Sequence, residues 1–301
     1  MTFPTLAFLG IGLMGKPMAT RLAAAGYPVS AWNRSPAKAE ALRGAGVTPC
    51  ADPAHAVQGA AIVISMLEAG PAVARVLDAA LAHLAPGTLW IDMSSTRQDE
   101  ALAFAARLAA QGCRFIDAPV SGGVQGAESG TLAIMAGAED DDFARAAPLL
   151  RVLGKPVQVG PAGSGQVAKL CNQLIVGATI QVVAEALLLA EAAGADAAAV
   201  REAIRGGFAG SRVLEVHGQR MLERNFVPGG KVSTQVKDQR NVLAAAQAAG
   251  LSLPVTAVVT RQFEAIENAL AGADHAAGLM ALERMNPGKR LGEGADRLPD
   301  A

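Results

Sequence analysis

Short apolar runs alternate with helical periodicity through the first half of the chain. Runs at 5–9, 29–32, 61–65, 89–92, 114–118, 131–136 and 156–159 read as strands. Helical patterns fill the gaps at 15–25, 71–83 and 97–111, and a short helix opens at Asp52-Pro53. Ser35-Pro36 reads as an N-cap followed by proline at the first helical position. Glu139 to Asp142 suit a helix N-terminus, where the dipole favours negative charge, and are not read as a metal site. The alternation predicts an α/β domain with a doubly wound sheet.

A different pattern begins at Gly163. Residues 163–194 contain no proline, are mostly apolar and are bounded by glycines, so they read as one long helix of roughly 40 Å. Gln181, Glu185 and Glu191 interrupt it too often for a membrane span, which makes it a buried connector. Beyond it the pattern is helix after helix to about residue 285, with Asp196 and Ser211 as caps. The last stretch, 286–301, is polar and rich in Gly and Pro and reads as a disordered tail. The expected organisation is a doubly wound α/β domain over 1–162 and an all-helical domain over 163–285 whose first element, 163–194, joins the two.

Composition narrows the function. The chain has 301 residues, enough for two cores, and a net charge of -1, which attracts neither nucleic acid nor an anionic membrane. Its first residues, MTFPTLAFLG, lack the basic flank and apolar core of a signal peptide. Cys50, Cys113 and Cys171 are odd in number and lie outside metal-ligand spacing, as expected of reduced thiols in a cytoplasmic protein. Cys171 falls about 200° around the helix from Lys169 and is expected in the core. The four histidines show no triad-like or metal-like arrangement, so no metal is expected.

Candidate chemistry starts at the first strand. Gly10-Ile11-Gly12-Leu13-Met14-Gly15 is a G-x-G-x-x-G turn between strand and helix, the context in which backbone N–H groups hold a dinucleotide pyrophosphate. At the end of the second strand, Asn33-Arg34-Ser35 lacks the acid that would hold an NAD ribose and offers donors to a 2′-phosphate. NADP is therefore expected in preference to NAD. Met66, Leu67, Ser95 and Thr96 lie at later strand ends and line the same crevice, although Ser95 or Thr96 could equally be a helix cap. Ser121-Gly122-Gly123 exposes a hydroxyl and adjacent N–H groups, a nest for a carboxylate or else a plain turn. Lys169, Asn172 and Gln173 stand at i, i+3 and i+4, on one face of the long helix. A lysine in a partly dry cleft can give or take a proton near neutral pH, as carbonyl reduction requires. Lys237 reads either as functional or as a surface partner of Asp238.

Five motifs in order, FLGIGLMGKPMA, DMSST, DAPVSGG, GSGQVAKLCNQ and QVKDQRN, resemble the β-hydroxyacid dehydrogenase family between Leu6 and Glu283. The resemblance implies an NAD(P)H-dependent enzyme that interconverts a small aldehyde acid and its hydroxy acid. It implies Lys169 as catalytic acid/base, with Ser121, Gly122 and Gly123 on the substrate carboxylate and Asn172 and Gln173 orienting the substrate. Thr96 and Lys237 would contact the cofactor, and the helical domain would help to form a homodimer or homotetramer. A catalytically silent dinucleotide-binding module is the rival. Three positions depart from the family pattern. Gln173 replaces a common Asn, and Asn33 stands where NAD-using members carry Asp. Gly230 replaces a common Phe, which would remove an aromatic wall and enlarge the site.

Overall fold

The computed structural model describes residues 3–299 and divides into two compact units, Met1–Lys169 and Leu170–Ala301. Residues 1–2 and 300–301, the latter at the end of the expected tail, lie outside the described residues.

The first unit opens with β1 (Leu6–Leu9), α1 (Gly15–Ala24), β2 (Val29–Trp32), α2 (Pro36–Glu40), β3 (Val47–Pro49), α3 (Pro53–Val57) and β4 (Ile62–Ser65). It continues with α4 (Gly70–Ala80), β5 (Leu89–Asp92), α5 (Gln98–Ala109), β6 (Arg114–Asp117), β7 (Val120–Ser121) and α6 (Gly123–Ser129). Then come β8 (Leu132–Gly137), α7 (Asp140–Leu153), β9 (Gly154–Gly160) and the long helix α8 (Ser164–Ala192). The strands lie in the order β3-β2-β1-β4-β5-β6-β8-β7, with β9 paired to β8. The six from β3 to β6 are parallel, β8 is antiparallel to β6, and β9 is parallel to β8, so the sheet is mixed beyond its Rossmann core.

Alternation within four-residue strands feeds two cores. Phe8, Ile64, Ile91 and Ile116 face Met18 and Leu22 of α1 and Leu149, Leu150 and Leu153 of α7. Ala7, Leu9, Val63, Trp90 and Phe115 face Val73 and Leu77 of α4 and Phe104 and Leu108 of α5. Burial contributes roughly 1.5–3 kcal/mol per large apolar side chain, so the two helical layers, more than the short ladders, hold the sheet. Strand order reverses between β1 and β4, the kind of switch point beyond whose strand carboxyl ends doubly wound sheets take their ligand.

The second unit packs the rest of α8 with α9 (Ala197–Arg205), α10 (Arg212–Leu222), α11 (Val232–Ala248), α12 (Pro254–Leu270) and α13 (Gly278–Met285). Asp196 caps α9 through the N–H groups of Ala198 (2.9 Å) and Ala199 (3.1 Å), and Ser211 Oγ caps α10 through Leu214 N–H (3.0 Å). By length and composition α8, with 29 residues, could cross a membrane. Its apolar character is accounted for by Ile180, Ala184, Leu187 and Leu188, which build the helical core with Phe226, Val236, Phe263 and Leu279.

Two expectations fail here. Cys171 is exposed, not in the core, because α8 carries a second apolar stripe with Ile175, Val182 and Leu189 that the chain leaves uncovered. The expected disordered tail folds back instead. Leu291 is fully buried, Phe226 N–H donates to the Arg297 carbonyl (2.8 Å), and Arg224 binds Asp296 and the Leu291 carbonyl. One buried leucine and one acid facing a buried guanidinium outweigh the polar, Gly-rich composition around them.

Two buried carboxyls sit at the strand ends of the first unit. Asp92 Oδ1 accepts from Ser65 Oγ (2.7 Å) and Ser94 N–H (3.2 Å), while Oδ2 has no partner. Burial pushes its pKa up to about 6, and that of Asp117 to about 7. Both values exceed the unfolded one, so the folded state holds extra protons between pH ~4 and ~7 and loses stability as pH rises through that window. Asp92→Asn, which fixes the neutral form, is expected to flatten this fall by at most about 3 kcal/mol. Thermal melts of both proteins at about pH 5 and pH 8 check it; parallel curves would refute it.

Candidate active site

The glycine turn is built by close approach. Gly10 has φ +111°, and a Cβ there would strike the Met66 carbonyl; a Cβ on Gly15 would strike the Gly10 carbonyl. Gly12 faces open space, so its backbone can approach a pyrophosphate at the start of α1. Ile11 is buried, while Leu13 is 75 % exposed at the tip beside Met14. Asn33 fastens the turn to the end of β2: Ile11 N–H donates to its Oδ1 (3.0 Å) and its Nδ2 donates to the Ser35 carbonyl (3.1 Å). Arg34 and Ser35 are exposed, and Ser35 makes no side-chain cap. Asn33 thus shapes the turn, and Arg34 and Ser35 stand exposed beside it.

The β4 and β5 ends complete this wall. Leu67 N–H donates to Ser94 Oγ (2.9 Å), which holds the Met66-Leu67 turn against β5. Thr96 is buried, and its Oγ1 has no protein partner. The α5 cap is Arg97, so the helix-cap reading of Ser95 and Thr96 does not hold. An orphaned buried hydroxyl at the crevice suits a polar ligand.

Gly122 takes φ +138°, a conformation that L side chains rarely adopt, and leads from β7 into α6 with Gly122 and Gly123 exposed beside half-buried Ser121. Lys169 reaches the same turn, its Nζ donating to the Val120 carbonyl at 2.9 Å. The Lys169 ammonium thus stands at β7, next to the turn of half-buried Ser121 and exposed Gly122 and Gly123. Asn172 and Gln173 follow one turn later along α8. There Asn172 Nδ2 donates to Gln173 Oε1 (2.9 Å), and Gln173 Nε2 donates to Asp238 Oδ2 (2.5 Å). Asp238 in turn pairs with Lys237 Nζ (3.1 Å). The Gln173 amide is therefore occupied by protein partners, and Asn172 is the residue it steadies.

Some features escaped the sequence reading. Asp117 Oδ1 accepts from Gly163 N–H (2.6 Å) and Oδ2 from Gln166 N–H (2.8 Å), fixing the start of α8. Nothing local marks Gln166, because a glutamine in a helical run carries no signal of its own. Gly230 does not open the space expected of a lost aromatic wall: a Cβ there would lie 2.9 Å from the His275 ring, which fills the position. His217, Asp274 and His275 also converge, with ligand atoms within 4.8 Å of one another. Asp274 already accepts from Gly229 (2.8 Å), Gly230 (3.2 Å) and Ala276 (3.0 Å), which makes it a turn-holding carboxylate. Burial pushes its pKa up, but His217, His275 and these N–H groups outweigh that and hold it well below the carboxylate range.

Comparison with known proteins places the chain in one family. Residues 5–163 match the NAD binding domain of 6-phosphogluconate dehydrogenase, and residues 163–282 match the NAD-binding domain of NADP-dependent 3-hydroxyisobutyrate dehydrogenase. The chain is 40% identical over 285 residues to 2-hydroxy-3-oxopropionate reductase of Escherichia coli, covering 93% of this chain and 97% of that one. It is 36% identical to the NAD-dependent L-serine dehydrogenase of Pseudomonas aeruginosa, over 83% of this chain and 88% of that protein. A solved structure of Mycobacterium tuberculosis 3-hydroxyisobutyrate dehydrogenase with L-serine superposes with a TM-score of 0.84 at 32% identity, covering 93% of this chain and 99% of that one. With a Rossmann unit, a lysine-bearing helix and these relatives, the chain belongs to the 3-hydroxyisobutyrate dehydrogenase-like β-hydroxyacid dehydrogenase family of NAD(P)-dependent oxidoreductases.

Proposed function

We propose that this protein reduces a small aldehyde acid with NADPH, and that 2-hydroxy-3-oxopropionate, giving glycerate, is its substrate. The observation that carries the reading is the Lys169 ammonium held at the Val120 carbonyl beside the Ser121-Gly122-Gly123 turn. The identity with the Escherichia coli reductase supports the choice of substrate. The bound nicotinamide cofactor supplies the hydride. Lys169 gives a proton to the carbonyl oxygen as it becomes an alkoxide, and its charge stabilises that oxygen beforehand. Ser121 Oγ and the N–H groups of Gly122 and Gly123 hold the carboxylate, and Asn172 orients the substrate from the next turn of α8. Oxidation of a 3-hydroxy acid by the same residues in reverse is the second reading, favoured by the L-serine-bound relative. Exposed Ile175 (62 %), Val182 (58 %) and Leu189 (70 %) on α8 support assembly into a homodimer or homotetramer.

NADPH and NADH oxidation, followed by absorbance with 2-hydroxy-3-oxopropionate, succinic semialdehyde and glyoxylate, tests this reading. Turnover of none of the three would overturn it. Arg34→Ala is expected to raise KM for NADPH about tenfold and leave that for NADH nearly unchanged, as loss of one charge-assisted phosphate contact requires. Equal changes for the two cofactors would remove Arg34 from the 2′-phosphate.

A further inference from the structure

The turn of α8 that carries Lys169 is tied to the strand ends by two side chains that the proposed chemistry does not use. Asp117, fully buried at the end of β6, accepts from the N–H groups of Gly163 and Gln166. Gln166, also fully buried, binds the segment beyond β5: Thr96 N–H donates to its Oε1 (3.0 Å), and its Nε2 donates to the Ser94 carbonyl (2.9 Å). Three residues past Asp117 is Val120, and three residues past Gln166 is Lys169, whose ammonium closes the ladder at the Val120 carbonyl. The packing leaves no slack. A Cβ on Gly165 would strike the Asp117 and Met135 carbonyls, and one on Gly137 would strike Asp117 Oδ1.

A methionine or leucine at position 166 would favour the helix as well and bury without any polar obligation. The amide therefore does something that burial alone does not ask of it. Both of its bonds go to backbone groups of residues 94–96, the stretch that holds the orphaned Thr96 hydroxyl and, through Ser94, the Met66-Leu67 turn. We infer that Gln166 is a positioning residue: it locks the Lys169 turn of α8 to the cofactor-side segment Ser94–Thr96, so that the proton donor and the cofactor wall keep one fixed spacing. This rests on the reading of Lys169 as proton donor. Misplacing a reacting group by about 1 Å costs on the order of 10²-fold in rate, so a loosened brace acts on kcat before it acts on binding.

The test is Gln166→Met, which keeps length and burial and removes both hydrogen bonds. Steady-state kinetics should show kcat lower by about tenfold or more, with KM for the aldehyde acid and for NADPH each within about threefold of wild type. A kcat within about twofold of wild type, or a loss confined to KM, would overturn the inference. A readout independent of turnover is competitive acetylation of Lys169 with acetic anhydride, followed by mass spectrometry. The rate at Lys169 should rise about threefold or more in the variant while other lysines stay unchanged, because an ammonium released from its brace spends more time in solvent. Equal rates at Lys169 would overturn the brace. Wild-type protein inactive on every aldehyde acid would sink the functional reading alone, and the labelling comparison would still decide this one. Should Gln166→Met fail to fold, Gln166→Glu takes its place. It keeps the Thr96 acceptor, sets an oxygen against the Ser94 carbonyl and carries the same opposing outcomes.

Discussion

Lys169→Met is expected to lower kcat by about 10²–10⁴-fold while changing the NADPH dissociation constant by less than about threefold. The range is the usual worth of a positioned general acid, and the methionine keeps the stem that packs in the cleft while removing only the ammonium. The residue donates to the Val120 carbonyl, a half-buried contact that costs about 1 kcal/mol to lose. Folding should therefore survive. The two quantities are separable, by absorbance for turnover and by cofactor fluorescence for binding. Unimpaired turnover would remove the lysine from the chemistry. Loss of turnover together with loss of NADPH binding would mean that its charge serves the cofactor rather than the substrate oxygen.

Arg224→Ala is expected to destabilise the helical unit by about 3–5 kcal/mol, the usual cost of stranding buried charge. Arg224 is 1 % exposed and holds φ +49°, an uncommon conformation for a residue with a side chain. Its guanidinium forms a fork with Glu283 (2.7 and 2.9 Å), binds Asp296 and the Leu291 carbonyl (2.8 Å), and lies 5.6 Å over the Phe226 ring. Removing it leaves two carboxylates facing each other across an empty volume. Arg224→Met, which refills that volume, should recover little, because the stranded charge and not the cavity dominates. Urea unfolding gives the energy, and limited proteolysis between residues 286 and 298 reports whether the tail is released. A loss below about 1 kcal/mol would reduce the cluster to an ordinary surface salt bridge.

Both expectations hinge on contacts of very different legibility. The strand–glycine–helix run at 6–24 is legible because each of its constraints is local: a tight turn, a helix start, an apolar face. The Asp196 and Ser211 caps belong to the same class, and the long connector follows from uninterrupted helix formers. The brace of Asp117 and Gln166 is of another kind. Its partners lie 46 to 72 positions apart, and nothing in the periodicity around either residue marks it. Cys171 misled for the opposite reason, since apolar residues on two faces of α8 obey the same period and only packing tells them apart. Gly230 misled because absence of a side chain was equated with open space, and His275 from a distant segment fills it.

The folded-back tail changes what a shortened version of this protein would be. A premature stop near residue 290 would delete a stretch that looks like dispensable linker. It would also take away Leu291 and Asp296, and with them an acceptor and an anion from Arg224. Such a truncation behaves as a lesion at the heart of the helical unit, and a protease that nips the last dozen residues would expose that centre to further digestion. Residues 291–297 thus act as a keystone of the helical unit, although their composition reads as linker.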